Sequence, residues 1–306
     1  IARAAEAIRH GQLVAFGTET VYGLGGDATN DTAVARIFDA KNRPQFNPLI
    51  SHVDSPEAAF GLGRMTPLAE TLAAAFWPGP LTLVLDRHDG CPVSPLALAD
   101  LESIALRVPA NPVARSFLKE AAVPVAAPSA NRSGHISPTR ADHVTADLGG
   151  YPHLALILDT GPASGGLEST VIDARGETPI VLRPGSITAA MISEATGKVA
   201  EAPGEAIISP GQMKSHYAPS KPLILNASEA GPDTAWIGFG NSPAPAAHCV
   251  FNLSPGGDLV EAAARLYELL READASDAAA IAMAAIPDEG IGQAINDRLM
   301  RAAHRD

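Results

Sequence analysis

The first 41 residues read IARAAEAIRHGQLVAFGTETVYGLGGDATNDTAVARIFDAK, and this stretch indicates the class of fold. Ala2–His10 has helical composition and ends at a glycine, and the apolar run Leu13–Phe16 is typical of a short buried strand. A glycine-rich turn then leads to a second helix over Ala33–Lys41, which Asn30 or Asp31 can cap. Helix, buried strand and helix in such short succession predict an α/β domain.

The alternation of helical and strand-like stretches continues well beyond this segment. Four further stretches have helical composition: Pro67–Phe76, Pro112–Glu120, Arg140–Leu148 and Thr188–Ala195. Seven short apolar runs are strand candidates: Leu49–Val53, Leu81–Leu85, Ile104–Val108, Val123–Ala127, Leu154–Leu158, Thr170–Asp173 and Ile180–Leu182. This order predicts an α/β domain whose strands do not follow one simple βαβ repeat.

A segment without periodicity follows at residues 199–222, VAEAPGEAIISPGQMKSHYAPSKP. Its prolines and glycines interrupt every short pattern, which is typical of a linker. The segment also contains His216, Tyr217 and Pro219, which a simple tether does not need.

After this linker the helix and strand patterns resume. Strand candidates and amphipathic helices alternate again: Leu223–Leu225, Ala235–Gly238, Val250–Leu253, Asp258–Ala273, Ala279–Ile286 and Ile291–Ala303. We therefore predict a first domain over residues 1–198, a linker over 199–222, and a second, smaller α/β domain over 223–306.

Charge and cysteine content limit the partners and the compartment. The 306 residues contain 22 Lys and Arg against 34 Asp and Glu, a formal net charge of −12, so a tight nucleic-acid binder is not expected. No apolar run approaches the roughly 20 residues of a membrane span, and no membrane association is expected. Cys91 and Cys249 stand alone, which argues against a disulfide framework or structural zinc site and favours a reducing cytoplasm.

Cations and hydroxyl groups collect in four segments of the first domain. In Gly17–Ala28, GTETVYGLGGDA, small residues would let backbone N–H groups approach a ligand, although such a turn can also be purely structural. In Lys41–His52, KNRPQFNPLISH, Lys41 and Arg43 stand where a helix ends. These two cations can either stabilise the helix C-terminus or clamp a phosphate group.

The other two segments follow predicted strands. Ala127–Thr139, APSANRSGHISPT, is dense in hydroxyls and amides that can bind phosphate or ribose, or can form an ordinary polar turn. Ser164–Asp173 contains Ser169 and Thr170 at the start of a strand, and Arg183 closes the next strand. Arg183 is one of several basic residues at strand ends or in such loops, although the chain as a whole is acidic.

The sequence lacks the patterns of side-chain nucleophiles. GxSxG and the phosphate-binding GxxxxGK[ST] are both absent. A site rich in cations and hydroxyls but poor in acids and bases suits phosphoryl or nucleotidyl transfer by positioning and charge neutralisation.

Eight motifs occur in one order along the chain: TETVYGLG, KNRPQFNPLISH, WPGPLTLVL, ALRVP, PSANRSGHISPT, ESTVID, LRPG and HYAP. In this order they resemble the Sua5/YrdC family of L-threonylcarbamoyladenylate synthases, over residues 13–219. The trailing α/β domain is similar to the extra domain of the two-domain Sua5 branch. The resemblance implies a twisted, mixed-sheet YrdC-like domain joined by a long linker to a smaller Rossmann-like domain.

The resemblance also implies an activity, that of a nucleotidyltransferase. L-threonine, bicarbonate or CO₂ and ATP would give threonylcarbamoyl-AMP and pyrophosphate, the first step of tRNA N6-threonylcarbamoyladenosine modification. Mg²⁺ would accompany ATP, held mostly by phosphates and water, with no organic cofactor and no metal site formed by the protein itself. The product would pass to a tRNA threonylcarbamoyl-transferase complex, and direct tRNA binding is not expected of so acidic a chain.

Site residues carry over by motif. The Lys-Arg-Ser-Asn tetrad of the family, expected to be catalytic, falls on Lys41, Arg43, Ser129 and Asn131. The expected threonine-binding residues are Thr20, His52, Arg107, Ala127 and Ser169, with Arg107 taking the carboxylate. The expected ATP-binding residues are Arg43, Asn47, Ser103, Ser129, Ser137, Arg183 and Tyr217.

Two departures and two alternatives accompany this resemblance. Gly17 stands where the family often has proline, and GQMKS before HYAP is an uncommon linker sequence. A double-stranded RNA-binding module is one alternative, against which the −12 charge and the lack of interleaved aromatic residues argue. Carbamoyl transfer of the hydrogenase-maturation kind is another, but it needs a zinc-finger segment that two cysteines exclude.

Overall fold

Two separate β-sheets organise the chain, and the computed structural model describes residues 1–44, 47–202, 216–242 and 246–304. The strands of the larger sheet are β1 (Leu13–Gly17), β2 (Tyr22–Asp27), β3 (Ile50–His52), β4 (Leu81–Asp86), β5 (Ser103–Arg107), β6 (Val125–Ala126), β7 (Leu154–Leu158), β8 (Thr170–Asp173) and β9 (Ile180–Arg183). Those of the smaller sheet are β10 (Leu223–Ile224), β11 (Thr234–Gly238), β12 (Cys249–Asn252) and β13 (Ala280–Met283).

Ten helices flank the sheets in the described residues. They are α1 (Ala2–Arg9), α2 (Asp31–Lys41), α3 (Pro56–Phe60), α4 (Pro67–Phe76), α5 (Pro95–Leu98), α6 (Pro112–Ala121), α7 (Ala141–Leu148), α8 (Ala189–Thr196), α9 (Leu259–Ala275) and α10 (Gly292–Ala303). As predicted, Asn30 caps α2, because its side chain accepts hydrogen bonds from the backbone N–H groups of Thr32 and Ala33. No helix among these residues is both long and apolar enough to cross a membrane.

The larger sheet has the strand order β7-β1-β2-β6-β3-β5-β4-β8-β9 and mixes parallel with antiparallel pairs. The smaller sheet has the order β10-β13-β11-β12 with parallel pairs throughout. The predicted α/β class, a large mixed sheet with a smaller parallel-sheet domain, is therefore confirmed. The domain boundaries stay a prediction, since residues 203–215 of the predicted linker lie outside the described residues.

The predicted glycine-rich turn at Gly17–Ala28 is wrong for its second half, because β2 occupies Tyr22–Asp27. The glycines of β2 let neighbouring elements pack against the strand. A Cβ on Gly25 would lie 2.9 Å from both Phe16 and Val125, and one on Gly26 would lie 3.0 Å from Ile37. Gly25 and Gly26 are therefore needed for core packing, and their small size is not evidence for a ligand at these two positions.

The two domains share one hydrophobic cluster. Val21, Ile136 and Leu167 of the first domain pack within the core of the second. Gly166, at φ +70°, lies directly against helix α9, and a Cβ on it would stand 2.3 Å from the carbonyl oxygen of Ala263. The loop before β8 can therefore approach α9 only with glycine at this position.

Replacement of Gly166 by Ala is expected to separate this loop from α9. The left-handed φ costs about 1 kcal/mol for an alanine, and the clash with helix backbone adds about 1–3 kcal/mol. Gly197→Ala is the matched control, since Gly197 has φ +67° but nothing within 4 Å of its would-be Cβ. Equal losses in the free energy of unfolding for the two variants, measured by urea denaturation, would contradict this role.

Candidate active site

A row of functional side chains crosses one face of the larger sheet. Strand register pairs His52 with Arg107, Arg107 with Thr82, Thr82 with Val171, and Val171 with Arg183. Residues paired in this way point to the same face of a sheet, so strands β3, β5, β4, β8 and β9 each contribute one side chain to the row. The mixed topology therefore brings together residues that are more than 100 positions apart in the sequence.

A pocket opens over this row and is bounded by Thr18, Glu168 and His216 as well as by predicted residues. Nine predicted site residues line it: Thr20, Arg43, His52, Arg107, Ala127, Ser129, Ser169, Arg183 and Tyr217. The other five, which are not among its lining residues, are Lys41, Asn47, Ser103, Asn131 and Ser137.

Lys41 connects helix α2 to the loop that carries Ser129. Its Nζ donates to the backbone carbonyls of Ser129 at 2.6 Å and of Asn131 at 2.5 Å. The Asn131 amide in turn donates to the carbonyls of Arg132 and His135 within the same loop. Burial, together with the nearby Arg43, lowers the pKa of Lys41 well below its usual value. Lys41 and Asn131 thus shape the loop by which Ser129 reaches the pocket.

Arg43 itself lines the pocket, and its guanidinium leans on the following turn. One terminal nitrogen donates to the carbonyls of Asn47 at 3.4 Å and Pro48 at 3.3 Å, while Nε has no hydrogen-bond partner among the described residues. Burial lowers the pKa of Arg43 to about 10, which still leaves it charged at neutral pH. Arg43 is therefore a buried cation with donor capacity to spare for an anion.

Ser169 is held in place from two sides. Its hydroxyl lies 2.7 Å from that of Thr82, and Arg183 donates to both the hydroxyl and the carbonyl of Ser169 at 3.0 Å. Arg183 thus spans β9 and the start of β8, and its side chain is almost completely buried. These contacts fix the orientation of the serine hydroxyl.

Arg107 is paired with Glu19, a residue that sequence reasoning did not single out. A terminal nitrogen of Arg107 donates to Glu19 Oε1 at 2.6 Å, and Glu19 Oε2 accepts from the backbone N–H groups of Ala110 and Asn111. Burial acts to raise the pKa of Glu19, but the charge of Arg107 outweighs burial, and the pKa of Glu19 is lowered. Part of the Arg107 fork is thus engaged within the protein, which restricts the directions from which it can receive a second carboxylate.

The remaining predicted residues differ in their distance from the pocket. Ser137 donates to Glu168 Oε1 at 2.6 Å and so touches a residue that lines the pocket. The backbone N–H of Ala127 donates to the carbonyl of Ile50, which leaves the Ala127 carbonyl as the group available to a ligand. Ser103 begins β5 whereas Arg107 ends it, a separation of about 13 Å along a strand.

Two buried histidines face the pocket in their neutral form. Burial and the nearby Arg107 lower the pKa of His52 to about 3. Burial, opposed by Glu168 and assisted by Arg43, lowers the pKa of His216 to about 3 as well. Among the described residues, Nδ1 of each ring lacks a hydrogen-bond partner, so both can interact with a ligand.

Sequence reasoning also missed Thr18 and Glu168 as pocket residues, although both lie within quoted motifs. Thr18 stands two residues before the predicted Thr20, and the hydroxyl groups of the two threonines lie 2.8 Å apart. Glu168 lies within ESTVID, and a single acidic residue before a strand is normally exposed, so local sequence gives little signal for it. Across the described ranges, no group of three or more His, Cys, Asp or Glu side chains is arranged to hold a metal ion.

Comparison with known proteins covers both domains. A family model for Sua5, YciO and YrdC proteins, described as "Telomere recombination", matches residues 6–185. A second model, described as "Threonylcarbamoyl-AMP synthase, C-terminal domain", matches residues 187–304. Together the two models account for nearly the whole chain.

Similar individual proteins come from a bacterium and an archaeon. A threonylcarbamoyl-AMP synthase of Bacillus subtilis is 40% identical over 99% of this chain and 92% of its own length. One from Pyrococcus abyssi is 39% identical over 98% of this chain and 93% of its own. A crystal structure of P. abyssi Sua5 complexed with L-threonine superposes with a TM-score of 0.89 at 36% identity, over 99% of this chain and 93% of that one.

Motif order, fold and full-length similarity agree with one another. The expected likeness is thus confirmed at the level of sequence models, of individual relatives and of three-dimensional structure. The chain belongs to the Sua5/YrdC family of threonylcarbamoyl-AMP synthases, in its two-domain Sua5 form.

Proposed function

We propose that this chain condenses L-threonine, bicarbonate or CO₂ and ATP into threonylcarbamoyl-AMP, with release of pyrophosphate. The observation that carries the proposal is the pocket itself, in which three arginines and one glutamate meet hydroxyl groups and two neutral histidines. The local excess of positive charge suits a polyphosphate, although the whole chain carries −12.

We place threonine on the row of side chains across the sheet. Thr20, His52, Arg107 and Ser169 line adjacent parts of the pocket, and the Ala127 carbonyl can accept a hydrogen bond from the amino group. Arg107 would receive the carboxylate of threonine on the part of its fork that Glu19 does not engage. The P. abyssi structure with L-threonine belongs to a relative that is similar over the full chain, which supports this placement.

We place the triphosphate between Arg43, Ser129 and Arg183, with Tyr217 beside the nucleotide. Lys41 and Asn131 would act by holding the Ser129 loop, while Asn47 and Ser137 would support Arg43 and Glu168. Ser103 is not carried into this proposal, because it lies at the opposite end of β5 from Arg107. Mg²⁺ would arrive on the ATP phosphates and neutralise part of their charge.

The chemistry then needs no enzyme nucleophile. When CO₂ is the substrate, the amine of threonine attacks its carbon and releases one proton, which gives a carbamate. When bicarbonate is the substrate, the same attack also breaks one C–O bond, and the expelled hydroxide leaves as water with the proton from the amine. A carbamate oxygen attacks the α-phosphorus of ATP, the bond from that phosphorus to the bridging oxygen breaks, and pyrophosphate leaves. Arg43 would neutralise charge that shifts toward the leaving group, and a neutral histidine could accept a hydrogen bond from the attacking amine.

The first test is pyrophosphate release by the purified protein with ATP and Mg²⁺. Release that requires both L-threonine and bicarbonate, together with a threonine–AMP adduct by mass spectrometry, would support the synthase reaction. ATP turnover that is independent of threonine would contradict it.

The proposal also includes delivery of the product to a tRNA-modifying transferase and a cytoplasmic location.

Replacement of Arg43 by Ala is expected to lower the rate of pyrophosphate release by at least about 10²-fold, because a preorganised cation at the phosphates is lost. Urea denaturation should show that the fold survives. Arg115→Ala, on the exposed side of α6, is the matched control and should keep the wild-type rate. Wild-type turnover in the Arg43 variant would rule out its role at the phosphates.

The neutral state of the two histidines predicts a pH dependence of stability. Because the folded state holds their pKa values near 3 rather than 6.5, the unfolded chain binds more protons between these values, so stability falls as pH falls from about 6.5. Each histidine contributes about 1.4 kcal/mol per pH unit in that range.

His216→Gln should therefore reduce the slope of unfolding free energy against pH between pH 5.0 and 6.5. Urea denaturation across this range measures the slope, and the same replacement at the exposed His10 is the control. A wild-type slope in the His216 variant would mean that the folded state does not hold this ring neutral.

A further inference from the structure

Two side chains of the second domain reach the wall of the pocket. Glu168 Oε2 accepts hydrogen bonds from the Tyr267 hydroxyl at 2.9 Å and from Arg298 Nε at 2.8 Å, while Ser137 donates to Oε1. Tyr267 lies on α9 and Arg298 on α10, so both come from the smaller domain. Arg298 is only 1% exposed, which is unusual for an arginine.

The same two residues pack around Tyr217. The Arg298 guanidinium carbon lies 5.3 Å from the centre of the Tyr217 ring, within the range of a cation–π contact. The Tyr267 ring stacks on the Tyr217 ring, with 5.7 Å between the two ring centres. The His216 ring lies 4.0 Å away on another side. Tyr217 has φ +65°, an unfavourable conformation for a bulky residue, which persists only where the surroundings enforce it.

Arg298 also contacts the turn that follows Arg183. One terminal nitrogen donates to the carbonyl of Pro184 at 2.9 Å, and the other donates to Asp297 at 2.6 Å. A single guanidinium therefore joins the Glu168 carboxylate, the Tyr217 ring and the turn after β9. Burial acts to raise the pKa of Glu168, but the charge of Arg298 outweighs burial and lowers this pKa to about 2. The carboxylate therefore stays charged.

We propose that Arg298 and Tyr267 are positioning residues for the nucleotide half of the pocket, which the second domain completes by fixing Glu168 and the Tyr217 ring. This inference rests on the proposed function, in which Tyr217 and Arg183 face ATP. The threonine half depends on the row formed by His52 and its neighbours, which the first domain supplies. Loss of either positioning residue should therefore weaken ATP binding and leave threonine binding intact.

A second ion pair between the domains provides a matched control. Arg271 of α9 pairs with Asp147 at 2.6 Å and also donates to the carbonyl of Ile136. This pair joins the same two domains at a different point from Glu168 and Tyr217. Its removal tests domain docking alone, whereas changes at Arg298 test the pocket as well.

The experiment measures Kd for ATP with Mg²⁺ and Kd for L-threonine by calorimetry on the full chain. Tyr267→Phe removes one hydroxyl and keeps the ring, and we expect about a tenfold higher Kd for ATP because a charged acceptor loses one donor. Arg298→Lys keeps the charge but loses the planar fork, and we expect about a hundredfold. Kd for threonine should change less than twofold in both variants.

Arg271→Gln should lower the midpoint of thermal unfolding while both Kd values stay within twofold of wild type. Two outcomes would overturn the proposal: wild-type ATP affinity in both Arg298→Lys and Tyr267→Phe, or equal weakening of ATP and threonine binding. Wild-type protein that binds ATP without threonine-dependent pyrophosphate release would contradict the proposed function. In that case the Kd values for ATP of the wild type and the two variants would still test the positioning role. Wild-type protein that does not bind ATP would overturn both.

Discussion

Burial of positive charge is the constraint on which the rest of this structure depends. Lys41, Arg43, Arg107 and Arg183 are each at most 9% exposed, in a chain whose net charge is −12. Removal of such groups from water costs several kcal/mol per ion unless acceptors replace the solvent. The site supplies these acceptors from backbone carbonyls, the Ser169 hydroxyl and Glu19, and Glu168 adds a negative charge near Arg183. Each source constrains a different part of the fold.

Backbone carbonyls determine the loops. Lys41 is satisfied only when the loop carrying Ser129 folds back over the end of α2. Arg183 is satisfied by both polar groups of Ser169, which places the start of β8. The cations that suit a phosphate ligand are thus also the groups that organise the pocket. Such preorganisation is the general source of electrostatic catalysis.

One of the two glutamates connects the domains. Glu19 balances Arg107 within the first domain, but Glu168 takes its hydrogen bonds from both domains, because Tyr267 and Arg298 come from the second. The second domain therefore supplies charge balance to the pocket wall as well as apolar contact area. Gly166, two residues before Glu168, allows the loop to approach α9 closely enough for these contacts.

Local sequence determined the elements and the chemical class of the site. Periodicity located most helices and strands within two or three residues. The short helices α3 and α5 were not predicted, although each begins with a Ser-Pro pair, Ser55-Pro56 and Ser94-Pro95, that is a typical helix start. Motif order indicated the family and nine residues that line the pocket. These features depend on neighbours in the chain, so the sequence alone contains them.

Only the tertiary structure decided which strands are neighbours and which charges are paired. Strand order in a mixed sheet depends on long-range packing, so the row from His52 to Arg183 could not be derived from spacing. Gly25 and Gly26 suggested a ligand loop because the side chains that pack against them, such as Val125, are remote in sequence. Pairing of Glu168 with Arg298, 130 positions apart, follows from the docking of two domains. Local patterns do not encode contacts between residues that lie far apart in the sequence and in different domains.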